Sequence, residues 1–129
     1  MDSFFLVSIL ALSLASSSAL ARPSIPKEGL AFIHQVHQAA IHKDYAALET
    51  LMAREFVWSF GGDEDAKQAI AAWRENPEAL QVLAKITRSP CAMRPDNLIE
   101  CPRNPGTDYR AGFKRTQGGW QMVYFVAGD

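Results

Sequence analysis

Three histidines, His34, His37 and His42, fall within nine consecutive residues, and two acids, Asp63 and Asp65, follow a Gly61-Gly62 pair. An imidazole and a carboxylate within hydrogen-bond reach make a general acid–base pair, so His37 with Asp63, or with the phenol of Tyr109, is the candidate catalytic set. His37 is singled out by its position on a helical wheel. With Ile33 at zero and about 100° per residue, Leu30, Val36 and Ala40 fall within about 60° and His37 at about 40°. It therefore faces inward, where an unpaired imidazole costs about 1–3 kcal/mol, and must find a hydrogen-bond partner. A core histidine satisfied by backbone or by a buried acid meets that demand as well as a catalytic base does. His34 and His37 stand at a spacing that can share an ion, but no third ligand joins them at helical spacing, so no metal is expected. Asp63 and Asp65, between a turn and a helix, serve equally as helix caps.

A second set is aromatic: Phe56, Trp58, Phe60, Tyr109 and Tyr124. Clustered around a pocket, these rings suit a small apolar ligand. Packed together, they are simply a core. There is no Gly-x-Ser-x-Gly, phosphate loop, His-Glu-x-x-His or dinucleotide fingerprint, so no cofactor is expected and enzyme chemistry has no motif behind it.

Cys91 and Cys101 are the only cysteines. Arg94-Pro95-Asp96-Asn97 between them reads as a type I turn, which places the two on facing arms of a hairpin and predicts a disulfide. A disulfide suits an oxidising compartment, and the N-terminus points the same way. Residues 4–15 form an apolar run broken only by Ser8 and Ser13, followed by Ala19-Leu20-Ala21 and then Arg22-Pro23. That run is too short for a permanent membrane anchor and reads as a signal peptide over residues 1–21, cut after Ala21. Periplasmic or secreted placement is the expectation, although Met1-Asp2-Ser3 lacks the usual basic residue.

The elements that position these residues can be read in order. Residues 22–27 are a linker, and residues 28–129 have room for one domain. Ser24-Ile25-Pro26 starts a helix running to about residue 43, with Leu30, Ile33, Val36, Ala40 and Ile41 on its apolar face. Asp44 caps a second helix to about residue 54. Residues 56–60 alternate as a strand, with Phe56, Trp58 and Phe60 on one face. A third helix ends at Asn76-Pro77, and a fourth runs from Pro77 to about residue 87, carrying Leu80, Leu83 and Ile86. Strands at 109–115 and 120–126, joined through Gly118-Gly119, close the chain. Arg110 and Lys114 lie on one face of the first, and Tyr109, Ala111 and Phe113 on the other. The second is apolar on both faces and is expected inside the sheet. The class is α+β, with N-terminal helices packed on a curved antiparallel sheet.

Two helices joined by Lys43-Asp44-Tyr45-Ala46-Ala47-Leu48, then a strand, more helix and a hairpin ending in Gly119-Trp120-x-Met122, resemble the nuclear transport factor 2-like superfamily. The resemblance implies a cone whose interior holds a small apolar ligand or an active site, and a homodimer through the sheet. A small Src-homology-3-like barrel fits four helical segments poorly. The stretches Phe56-x-Trp58-Ser59-Phe60-Gly61-Gly62-Asp63, Trp73-Arg74-x-Asn76-Pro77 and Tyr109-Arg110-Ala111-Gly112-Phe113 look like a group of small exported bacterial proteins, which brings no chemistry with it.

Asp2 is the only charged residue before the expected cut, so the charges beyond it balance. With no block of like charge, neither nucleic acid nor an anionic membrane surface is indicated as partner. Three functions remain: binding of a small apolar ligand or an envelope protein, a lyase, isomerase or hydrolase using His37 and Asp63, or an interaction subunit whose aromatics are all core.

Overall fold

The computed structural model describes residues 24–59 and 64–128. The expected export segment 1–21, Phe60 and Asp63 lie outside them. Among the described residues the order is α1 (Lys27–Ile41), α2 (Tyr45–Leu51), β1 (Met52–Val57), α3 (Ala66–Glu75), α4 (Glu78–Thr87), β2 (Ala92–Arg94), β3 (Leu98–Cys101), β4 (Arg110–Thr116) and β5 (Gly119–Val126). The strands form one sheet in the order β1-β5-β4-β3-β2.

Local chemistry sets most boundaries. Asp44 caps α2 by accepting the amide of Ala47 at 3.1 Å, and Asp65 caps α3 by accepting that of Lys67 at 2.7 Å. Asn76-Pro77 separates α3 from α4. The chain between β2 and β3 is a three-residue loop rather than a type I turn, because Asp96 and Asn97 both adopt positive φ. Asp and Asn tolerate that region through local side-chain hydrogen bonding. The arms still face each other, with Ala92 opposite Glu100, and Cys91 and Cys101 are bonded with Cα atoms 4.4 Å apart.

The sheet departs from the expected antiparallel plan at one edge. β1 runs parallel to β5, pairing Met52 with Met122 and Val57 with Tyr124. It also starts at Met52 rather than Phe56 and ends before Trp58. Met52-Ala53-Arg54-Glu55 has little intrinsic strand preference, and pairing with a distant strand overrides it.

Helices cover one face of this sheet. Ile99, Phe113 and Met122 form one buried row across β3, β4 and β5, and Cys101, Ala111 and Phe125 form another. Phe32 of α1 meets Phe113 edge-on at 6.2 Å, and Trp73 of α3 meets Phe125 at 5.8 Å. The buried side of α1 carries Phe32 and Ala39 along with Ile33, Val36 and Ala40, while Leu30 and Ile41 are half exposed. At Gly29 the helix comes so close that a Cβ there would lie 2.6 Å from Ile99 Cδ1 and 3.1 Å from Trp120. Glycine is what permits that approach.

A bulge decides which way the β5 side chains point. Gly112 pairs with Tyr124, but the next residue, Phe113, pairs with Met122, leaving Val123 as the extra residue. Met122 and Phe125 therefore both face the helices although three apart, and Tyr124 stands on the opposite face with Arg110, Gly112 and Lys114.

Candidate functional site

The bulge splits the aromatic set. Phe56 is fully buried, its ring edge-on to Trp73 at 5.7 Å, and belongs to the core between α3 and the sheet. Tyr124 lies across Gly112 on the far face, where its hydroxyl donates to Glu100 Oε2. Burial, with the hydrogen bond to Glu100 and its charge adding to it, pushes the Tyr124 phenol well above its ordinary range. Arg94 donates from Nε to the other oxygen of Glu100 at 3.1 Å. Tyr124 is thus held in a polar network and does not line the aromatic cleft.

Trp58 and Tyr109 do come together. Trp58 lies one residue past the end of β1, and Tyr109 one residue before β4. They line a cleft of about 290 Å³ with Trp73 and Asn76 from the end of α3 and Phe125 from β5. Tyr109 lies against Phe125, ring centroids 5.0 Å apart and planes inclined by 35°. Trp73, buried beneath, holds both Phe56 and Phe125 and fixes the floor. The Trp58 ring is half-buried against the core, and its indole Nε1 is buried with no hydrogen-bond partner among the described residues. An indole nitrogen only donates, so among the described residues this is a buried donor without an acceptor, on a residue that lines the aromatic cleft.

The cleft lining among the described residues has no carboxylate and no imidazole. What it offers is ring surface, one buried N–H, the Ser59 hydroxyl, the Asn76 amide and the Tyr109 phenol. Such groups orient and hold a ligand, and no carboxylate–imidazole pair stands among the described lining residues.

His37 is elsewhere. It is buried as the wheel requires, but its partners are on α4: Nδ1 lies 2.8 Å from the Ala84 carbonyl and 3.0 Å from Thr87 Oγ1. A carbonyl only accepts, so Nδ1 carries the hydrogen. Thr87 in turn donates to Leu83 O at 2.7 Å and is free to accept from His37. The imidazole ties α1 to α4. It lines a separate cleft with His34, Gln38 and Thr87, which shares no residue with the Trp58 cleft. His37 and Tyr109 line different clefts, with Nδ1 held by α4, and the other expected partner, Asp63, lies outside the described residues. His34 sits beside it, ring centroids 6.3 Å apart. Among the described residues no three His, Cys, Asp or Glu side chains group as metal ligands.

Sequence reasoning did not single out Trp73, Asn76 and Phe125 as lining residues. Their contribution depends on α3 ending over β5, which no local pattern shows.

No protein-family model matches the chain, and no curated protein matches its sequence. Two solved structures are similar to it. One is an NTF2-like protein of unknown function from Pseudomonas putida KT2440, 13% identical, with TM-score 0.45, covering 76% of this chain and 81% of that one. The other is an NTF2-like protein with a cystatin-like fold from Novosphingobium aromaticivorans, 20% identical, with TM-score 0.44, covering 77% of each chain. Likenesses at this level say nothing about ligand or chemistry.

Proposed function

We propose that this chain is an exported binding protein for a small, largely apolar ligand with one hydrogen-bond acceptor, held between Trp58 and Tyr109. The observation that carries this reading is the buried N–H of Trp58, a residue that lines the aromatic cleft, without an acceptor among the described residues. A buried donor left unpaired costs about 1–3 kcal/mol, which a ligand acceptor recovers. The volume, about 290 Å³, lies at the lower edge of the range of roughly 300–1,000 Å³ usual for small-molecule sites, so the ligand is smaller than a typical drug. Export is supported by the signal-peptide pattern of residues 1–21 and by the Cys91–Cys101 disulfide. Among the described residues no helix is long and apolar enough to cross a membrane.

Acetophenone and ethylbenzene, alike in size but differing in a carbonyl, make the test. Calorimetric titration should show acetophenone binding about ten-fold more tightly, a preference that Trp58→Phe abolishes. Equal affinities for the wild-type protein would remove the role given to Trp58.

A further inference from the structure

A cleft larger than the aromatic one, about 570 Å³, lies between the start of α1 and strand β2, which is the open edge of the sheet. Its lining includes the apolar side chains Ile25, Leu30 and Met93 and Cys91 of the disulfide. Leu30, 48% exposed, is among the most exposed large apolar side chains, so the cleft presents hydrocarbon to solvent. The lining also includes two arginines, Arg94 and Arg103, and no carboxylate.

The two guanidinium groups differ in what they already hold. Arg94 is committed, pairing through Nε with Glu100 and donating from Nη2 to the Arg103 carbonyl. Glu100 is further engaged by the Tyr124 hydroxyl. Arg103 has no such partner: its Nε is buried without a hydrogen-bond acceptor among the described residues. Arg94 thus neutralises one acid and anchors the backbone of its neighbour, leaving one positive charge in a lining that is otherwise largely apolar. A single guanidinium unopposed among the described residues suits a monoanion, and its planar fork suits a carboxylate. The exposed hydrocarbon of the same lining suits an alkyl tail.

We propose that this cleft binds a medium-chain alkyl carboxylate, its headgroup on Arg103 and its tail along Leu30, Ile25 and Met93. The site is independent of the Trp58 cleft and shares no lining residue with it.

Octanoate is the probe, with 1-octanol as its uncharged counterpart, both titrated calorimetrically into the oxidised protein. Octanoate is expected to bind at least about ten-fold more tightly than octanol, and Arg103→Gln to remove that difference. Leu30→Glu, at a half-exposed position where folding should survive, is expected to abolish octanoate binding through charge and lost hydrocarbon, and decides the matter if Arg103→Gln fails to fold. Trp58→Phe should leave octanoate affinity unchanged. The proposal is overturned by equal affinity for octanoate and octanol, by full octanoate affinity in a folded Arg103→Gln or in Leu30→Glu, by displacement of octanoate with inorganic phosphate, or by loss of binding in Trp58→Phe.

Discussion

His37 on α1 donates its Nδ1 hydrogen to the carbonyl of Ala84 on α4, sharing it with Thr87 Oγ1, and so joins two helices far apart in the chain. The His37 ring is buried at the edge of a cleft, so water makes good only part of the loss of its bonds. His37→Ala is expected to cost about 2–3 kcal/mol, adding a cavity to the lost bonds. Thr87→Val, which leaves the Ala84 carbonyl in place, should cost about 1 kcal/mol. Urea denaturation followed by circular dichroism measures both. An unchanged midpoint for His37→Ala would contradict the structural role given to the imidazole.

Gly112 and Tyr124 make a second pair whose fit can be tested. The Tyr124 ring occupies the space where a Cβ at position 112 would stand, and its hydroxyl is pinned by Glu100. Gly112→Ala should therefore destabilise by about 1–3 kcal/mol through overpacking. Adding Tyr124→Ala should recover part of that loss, since the ring no longer competes for the space. A double variant whose losses merely add would show that the two positions do not interact.

Tyr124 also predicts a dependence on pH. Its phenol is raised above the ordinary 10.0, chiefly by burial and then by Glu100. The stability linked to it is fully present below about pH 10, where the unfolded phenol also keeps its proton, and is lost as pH rises further and only the unfolded state ionises freely. Between about pH 9 and 11.5 the wild type should lose stability more steeply than Tyr124→Phe. Parallel slopes for the two proteins would show that the phenol is not coupled to folding.

What could be read from the sequence was mostly local. Asp44 and Asp65 cap helices where a short acid precedes a helical run, and Pro77 divides two helices because a proline constrains the residue before it. The Cys91–Cys101 pair was legible because only ten positions separate them and a turn lies between. The alternation of Arg110 and Lys114 with Ala111 and Phe113 gave the correct two faces of β4.

The rest depended on contacts between distant segments. The parallel pairing of Met52 with Met122 has no signature at either residue. Strict alternation along β5 would group Tyr124 with Met122, and the extra residue at Val123 breaks that parity. Of the candidate site, Trp58 and Tyr109 were named for their rings and do share a cleft, whereas Phe56 lies in the core and Tyr124 on the far face. His37 was expected to be buried and to need a partner, but that the partner is the α4 backbone follows only from the packing of α1 on α4.

In the proposed function Trp58 offers its indole N–H to a ligand in the cleft it forms with Tyr109. The most direct measurement is a ¹H–¹⁵N correlation spectrum of the indole groups of Trp58, Trp73 and Trp120, assigned with a Trp58→Phe variant and recorded during titration with acetophenone. The Trp58 indole proton is expected to move downfield and saturate as the carbonyl accepts its hydrogen bond, while that of Trp120, under Gly29 at the other end of the sheet, stays in place. A Trp58 signal that does not move while the protein binds the probe, or moves no further than that of Trp120, would contradict it.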